Sequence, residues 1–442
     1  MIQLSDHFTY KHLLRFTLPS IIMLIFTSIY GVVDGFFVSN FAGKTEFAAV
    51  NFVMPLLMIL GCVGFMFGTG GSALIAFTMG TGNKKKANET FSLLIYVSAG
   101  CGVVLALAGI LMVGPVAALM GAEEEMLEAC VRYGRIVLAA LPFYILQYEF
   151  QCLFATAEKP KLGLAVTVAA GITNMVLDAL FVAVFAWGLE GAALATALSQ
   201  FVGGVIPLIY FGRKNTSLLR LVKCRFDGGA LAKTCTNGVS ELMSSISMSI
   251  VSMLYNVQLM KYAGEDGIAA YGVLMYVSMI FQAIFIGYSV GVAPVVGYHY
   301  GAQNQEELKS LLKKSGLLIG AFSIVMFLAG ETLGRPLSMV FVGYDGNLFG
   351  MTMHAFAIFS FSFLFSGIAI FGSSFFTALG DGLTSALISF LRTLVFQVAA
   401  VLIFPVFWEL DGIWLSIVLA EVMAVAVTVL FLYGKRKKYH YI

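Results

Sequence analysis

The chain has 442 residues, of which 60% are apolar and only 11% charged, with a formal net charge of +2; its mean hydropathy is +0.92. Soluble domains carry about 25% charged residues, so the composition excludes an ordinary soluble protein and places the chain in a bilayer. The basic clusters Lys84-Lys85-Lys86 and Lys435-Arg436-Lys437-Lys438 read as topology determinants, and no nucleic-acid partner is expected.

A membrane-crossing helix needs about 20 mostly apolar residues. Six such runs are centred near Phe26, Phe65, Gly102, Tyr144, Ile172 and Phe201, and six more near Ile250, Ile284, Phe322, Phe363, Leu394 and Met423. The expected fold class is an all-α polytopic membrane protein of twelve transmembrane helices in two parallel six-helix lobes. The lobes would be residues 1–212 and 236–442, joined by a cytoplasmic linker at 213–235. Short connections leave no room for a soluble catalytic domain.

The halves repeat at an offset of 221 residues. Ile25 falls on Ile246, Ser28 on Ser249, Gly43 on Gly264, Met54 on Met275, Gly70 on Gly291, Gly80 on Gly301 and Asn83 on Asn304. A later block, Leu189-Glu-Gly191, echoes Leu410-Asp-Gly412. Internal repeats in an apolar chain characterise secondary transporters, whose substrate site lies between the repeats. Six spans per half make both halves enter the membrane the same way, so a pseudo-two-fold axis should run along the membrane normal.

Charge supplies the orientation. Alternate loops and both ends hold 20 of the 26 basic residues, whereas the opposite side holds five: Lys44, Arg132, Arg135, Lys261 and Arg335. That opposite side is acidic, with Glu123, Glu124, Glu125, Glu265, Asp266, Glu409 and Asp411. The bias predicts cytoplasmic termini and a multi-pass protein of the cell (inner) membrane. The first apolar run lacks a small-residue cleavage pattern and reads as a retained helix.

Motifs of other classes are missing. The sequence contains no GxxxxGK[ST] or HExxH, and its GxSxG stretch, Gly287-Tyr-Ser-Val-Gly291, lies inside an apolar run and not on a strand-to-helix turn, so neither direct use of ATP nor hydrolase chemistry is expected. The six cysteines have no zinc-like spacing. A non-enzyme is expected, with no metal, cofactor or ATPase subunit.

Ionisable residues inside the apolar runs carry the functional information, because charge is costly in a membrane. Asp34 lies in the first span; Asn174 and Asp178 lie four residues apart in the fifth, on one helical face. Thr196 follows in the small-residue stretch Gly191-Ala-Ala-Leu-Ala-Thr196 of the sixth span. The plainer reading is hydrogen bonding between helices; the sharper one is a proton or cation site served by two acids. Glu149, Glu241, Arg392 and Glu421 are the remaining buried charges. Arg392 would form a structural ion pair with Glu421 or Glu241, or else hold an anionic substrate. Glu149 and Gln151 are candidates for a cavity wall touching substrate.

These stretches resemble the multidrug and toxic compound extrusion (MATE) family, in its bacterial branch, over essentially the whole chain. The likeness rests on Leu18-Pro-Ser20, Val33-Asp-Gly-Phe-Phe-Val38, Ala48-Ala-Val-Asn51, Gly68-Thr-Gly-Gly-Ser72, Asn174-Met-Val-Leu-Asp178, and Gly291-Val-Ala-Pro294 with Gly297-Tyr-His-Tyr-Gly-Ala302, in that order. The resemblance implies export of small, amphipathic, often cationic molecules against inward H+ or Na+, by a single copy of the chain in the lipid bilayer. It implies an ion site at Asp34, Asn174, Asp178 and Thr196, with Tyr133 as a further member and Pro19 as the proline that lets the first helix bend. Some relatives carry coupling acids in the seventh, eighth or tenth span. Here those spans offer Glu241, Gln282 and no acid respectively, so coupling through the second lobe is not expected. A lipid-linked precursor flippase of the same superfamily stays open as an alternative, and less so an intramembrane enzyme or a receptor.

The orientation can be checked directly. Single cysteines at Lys85, Asn215 or Lys437 should resist an impermeant thiol reagent in intact cells, and those at Glu124, Asp266 or Glu409 should label. The reverse pattern would overturn the topology.

Overall fold

A computed structural model describes residues 2–122 and 124–442; Glu123, counted above among the acids, and the side chain of Lys44 lie outside the described residues. Among the described residues thirteen α-helices follow in chain order: α1 Tyr10–Phe37, α2 Lys44–Gly80, α3 Lys84–Leu119, α4 Glu124–Ala139, α5 Leu141–Thr156, α6 Pro160–Asp178, α7 Gly188–Gly212, α8 Gly228–Gly301, α9 Gln305–Val342, α10 Gly346–Phe359, α11 Phe363–Ala378, α12 Gly382–Phe390 and α13 Phe396–Tyr439. Wider π-helical turns at Val38–Ala42, Ala179–Val184 and Leu391–Val395 continue α1, α6 and α12.

Among the described residues nine helical stretches are long and apolar enough to cross a bilayer, and the bent pair α4 and α5 makes a tenth. Two of the nine are too long for one crossing. With 74 residues, α8 would extend about 110 Å, against about 30 Å of hydrocarbon. Its backbone breaks at Gly264 (φ 66°, ψ −150°), and that of α13 breaks at Glu409 (φ 48°, ψ −126°). Divided at these breaks, the described chain makes twelve crossings, six in each half.

The duplication is visible in the backbone as well. Positive φ recurs at the 221-residue offset: Gly43 with Gly264, Gly82 with Gln303, and Gly188 with Glu409. Glycine adopts this conformation without a Cβ penalty. Gln303 and Glu409 keep the turn although the glycine of the first copy is gone.

Close packing joins the lobes along α2 and α8. A Cβ added at Gly80 would collide with the Tyr298 carbonyl oxygen, and one at Gly301 with the Phe77 carbonyl oxygen. Each contact is the image of the other under the repeat. Gly70 lies likewise against the Thr234 carbonyl, and Gly238 against that of Met66. One apolar core draws on both lobes, including Leu13, Phe16, Ile75 and Met79 with Tyr288, Val292, Val295 and Phe375. It also holds Leu4, Tyr439 and Tyr441, so it lies on the side of the termini. Two further cores are each confined to one lobe, around Val53 and Val137 in the first and Phe356 and Trp414 in the second. The lobes are therefore fused on the terminal side and separate on the other.

Short segments reinforce the fused side. Ahead of α1, Leu4 N–H donates to Glu158 Oε1 at 2.6 Å and Phe8 N–H to Glu307 Oε1 at 2.9 Å, tying one strand of chain to both lobes. Asp381, between α11 and α12, accepts from Lys435 at 2.6 Å and Tyr439 at 2.8 Å. Burial alone would raise its carboxyl, yet the bonds from Lys435, Tyr439 and Thr384 hold it below the ordinary carboxylate range.

The seam makes a quantitative expectation. Gly80→Ala and Gly301→Ala each force a methyl into a main-chain oxygen and should cost about 1–3 kcal/mol. Gly100→Ala, with nothing near its Cβ position, should be neutral or stabilising by up to about 1 kcal/mol. Thermal unfolding in detergent compares them; equal midpoints for the Gly80 and Gly100 variants would refute the seam.

Candidate functional site

Polar residues of the first lobe converge from four helices. Asp34 stands one turn before the π-helical end of α1, and Asn174 and Asp178 occupy the last turns of α6, just ahead of its own π-helical turn. Such wide turns often mark functional sites, because they re-aim neighbouring side chains. Thr196 comes from α7 and Tyr133 from α4. Asp34 is 7% exposed, Asn174 2%, Tyr133 1% and Asp178 0%, whereas Thr196 is half-buried.

The Asp34 and Asp178 carboxyls stand side by side. Tyr133 lies within reach of both and beside the Thr196 hydroxyl. Five oxygens of this cluster have no protein hydrogen-bond partner: Asp34 Oδ1, Asn174 Oδ1, both Asp178 oxygens and Thr196 Oγ1. Among the described residues neither acid pairs with a lysine, arginine or histidine. Two adjacent buried carboxylates without a counter-charge are unfavourable in a low dielectric. A proton or a small cation relieves that cost, and an all-oxygen donor set suits a hard cation. Among the described residues no cluster of three or more His, Cys, Asp or Glu is shaped for a metal, so the oxygens would come from mixed carboxyl, amide and hydroxyl groups.

A second site lies between the lobes, a cavity of about 280 Å³. The first lobe contributes Met58, Phe65, Tyr144 and Tyr148, and the second contributes Glu241, Met248, Gln282, Arg392 and a run of serines. Tyr144 donates its hydroxyl to that of Tyr148 at 3.0 Å, and Phe65 packs on Tyr148 with ring centroids 4.8 Å apart. The wall is thus aromatic on one side and polar on the other.

Several expectations need correction here. Glu149 and Gln151 do not line this cavity; Tyr144, Tyr148 and Cys152 do. Those three recur every four residues and set the helical phase of α5, which turns Glu149 inward to accept from the Ser98 hydroxyl. Gln151 is 3% exposed. Glu241, expected as a structural buried charge, instead stands on the cavity wall, without an ion-pair partner among the described residues. Arg392 pairs with Glu421, Nε to Oε2 at 2.9 Å and Nη2 to Oε1 at 2.9 Å, a two-pronged contact. Pro19 is buried in α1, where Thr17 and Ile21 press on Gly291 and Gly287 of α8. The aromatic wall was missed in the sequence, although Tyr144 and Tyr148 at i, i+4 carry its signal.

Together these features define an all-α, twelve-helix membrane transporter with a central cavity between two duplicated lobes. Comparison with known proteins gives the family. The MatE family model matches residues 19–180 and, a second time, 242–403, and the chain belongs to the MATE family of transporters; it is not an enzyme. The chain is 24% identical over 433 residues to the multidrug export protein MepA of Staphylococcus aureus (strain MRSA252), covering 97% of this chain and 94% of the relative. To MepA of Staphylococcus saprophyticus it is 25% identical over 430 residues, with the same coverage. Among solved structures, a crystal structure of MATE in complex with MaL6 superposes with a TM-score of 0.93 at 22% identity, covering 97% of both chains. An outward-facing multidrug resistance MATE family transporter of the MOP superfamily gives 0.92 at 22% identity, covering 97% of this chain and 96% of that one. At such identity these two show the fold alone.

The Arg392 pair yields a test. Arg392→Met leaves Glu421 buried and unpaired and should cost about 3–5 kcal/mol. The double variant Arg392→Met with Glu421→Leu should recover most of that loss in thermal unfolding. No recovery would mean that Arg392 is held by something other than Glu421.

Proposed function

We propose that the protein is a multidrug efflux antiporter of the cell (inner) membrane, with both termini cytoplasmic. It exports amphipathic, often cationic compounds in exchange for inward H+ or Na+. The observation that carries this reading is the pair of buried, adjacent acids, which together with Asn174 and Thr196 hold five unpartnered oxygens and, among the described residues, have no ion-pair partner. The multidrug export names of the MepA relatives support the direction and breadth of transport.

In this reading the working units are the lobes 1–212 and 236–442, the first handling the ion. Lobes closed on the terminal side and parted on the other leave the cavity facing outward. Cations entering from that side neutralise Asp34 and Asp178, relax α1 at Pro19, and favour closure of the outer end while the inner seam opens. The electrical part of the drive is about 2.3 kcal/mol per charge per 100 mV. Within the cavity, Glu241 offers the only carboxylate among its described lining residues, and Tyr144, Tyr148 and Phe65 offer ring faces that attract a cation. Met58 and Met248 add polarizable, adaptable surface. The working unit in this reading is a single copy of the chain.

Efflux of a fluorescent cationic dye from cells, with H+ and Na+ gradients collapsed separately, identifies the coupling ion. Asp34→Asn and Asp178→Asn should each reduce efflux to the rate of cells lacking the protein, at normal expression. Glu241→Gln should raise the half-saturating concentration of a cationic dye while keeping the ion dependence. Wild-type efflux from both aspartate variants would sink the proposed ion site.

A further inference from the structure

The segment that joins the lobes is pinned to the first lobe. Leu221 N–H donates to the Phe211 carbonyl at 2.9 Å, Arg220 N–H to Asn88 Oδ1 at 2.6 Å, and Val222 N–H to Ser92 Oγ at 2.8 Å. These bonds lay residues 220–222 along the start of α3 and fix the direction of the chain that follows. Between that chain and the first turns of α3 lies a cavity of about 690 Å³.

Its charge is one-sided. Lys85 and Lys86 line it from α3, and Lys223 and Arg225 from the joining segment. All four are exposed, and among the described residues none forms an ion pair. Two acids share the wall, Glu89 and Asp227. Asp227 is occupied in capping α8, its Oδ1 accepting from the N–H groups of Gly229 and Ala230 at 3.0 and 3.1 Å. The floor is solid protein, with Thr90 and Leu93 each 5% exposed. Four cations gathered around one hollow with so little acid repel one another. An anion removes that cost.

Depth in the membrane selects the kind of anion. Tyr96, 51% exposed, approaches the Val222 carbonyl with its hydroxyl at 3.5 Å. Beyond it α3 exposes Val103, Val104, Leu107 and Leu111, a stripe suited to lipid chains. Tyrosine settles where hydrocarbon meets headgroups, so Lys223, next to Val222, stands at headgroup level. Phe226, 75% exposed, adds an apolar ring on the same rim. We infer that this cavity binds a phosphate group, presented to it as the headgroup of an anionic phospholipid in the leaflet on the terminal side. Arg225 offers a planar fork to two phosphate oxygens and the lysines act as point charges. Basic pockets beside transmembrane helices on this side are suited to such headgroups. Occupancy would fasten the joining segment to α3, and so bias how far the second lobe can rock away from the first.

The test uses the full chain in neutral detergent, titrated separately with short-chain phosphatidylglycerol, short-chain phosphatidylcholine and inorganic phosphate. Bound lipid is counted by native mass spectrometry and the midpoint of thermal unfolding is followed. The variant Lys85→Gln, Lys86→Gln, Lys223→Gln, Arg225→Gln is compared with Lys309→Gln, Lys313→Gln, Lys437→Gln, Lys438→Gln, which removes the same charge elsewhere on that side. Wild type and the second variant should bind phosphatidylglycerol alike, and the first should need about tenfold more. Arg225→Gln alone should weaken binding without affecting folding. A response to phosphatidylglycerol alone supports the lipid as the source, and an equal response to inorganic phosphate supports the same cavity with a soluble one. Equal titration of wild type and the first variant, equal losses in both quadruple variants, or no binding by wild type would each overturn the site.

Discussion

Backbone-on-backbone contact between α2 and α8 is the constraint on which the rest of the structure depends. At Gly80 and Gly301 each helix presents a bare Cα to a carbonyl oxygen of the other, Tyr298 and Phe77 respectively. The two contacts are equivalent under the repeat, so the seam is self-complementary in the way a two-fold dimer interface is. Such an approach is available only where side chains are absent. The lobes therefore close on the terminal side, and the mixed core of Leu13, Phe16, Tyr288 and Val292 fills in around the contact. Elsewhere each lobe packs on itself. The cavity between them follows from this segregation.

Much of this was legible in the sequence because duplication and membrane solvation leave strong marks. The twelve apolar runs, the glycines Gly43, Gly80, Gly264 and Gly301, and the shared face of Asn174 and Asp178 could all be placed from periodicity and offset. The left-handed turns at Gln303 and Glu409 could not, since their residue types deny the conformation that their glycine counterparts announce. The meeting of Asp34 and Tyr133 with α6 depends on how four helices pack, and within the sequence only family resemblance joined them. Glu149 misled because an acid in an apolar run reveals burial and not direction. Its neighbours Tyr144, Tyr148 and Cys152 fix the face of α5 that meets the cavity. Arg392 had two plausible acids, and only the fold selects Glu421 over Glu241.

The repeat also separates scaffold from chemistry. At the 221 offset Asp34 corresponds to Tyr255 and Asp178 to Ala399. Tyr255 is 1% exposed, donates its hydroxyl to Gln397 Oε1 at 2.7 Å, and stacks on Tyr271 with centroids 5.3 Å apart. Where the first lobe gathers unpartnered oxygens, the second has a closed and satisfied contact. The same helix positions serve both, which is why fold alone does not decide which lobe handles an ion.

That asymmetry bears on how exchange would be coupled. Asp34 and Asp178 do not line the cavity between the lobes, so ion and substrate need not compete for the same atoms. The connection runs through helix α1 instead. Tyr30, one turn before Asp34, lies beside Gln147 of α5, and the next residue, Tyr148, forms cavity wall with Tyr144. In the proposed cycle, a change in the charge of Asp34 alters the cost of holding the outer half of α1 where it is. Any shift there disturbs Tyr30 and Gln147, and with them the aromatic face of the cavity. The same helix reaches the opposite end of the molecule through Pro19, and there it presses on Gly287 and Gly291 of the seam. One helix thus links the acidic cluster, the residues behind the cavity wall and the inter-lobe contact. Because packed interfaces move between discrete arrangements and do not deform continuously, a local change in charge on α1 has a physical route to the opening and closing of the whole molecule.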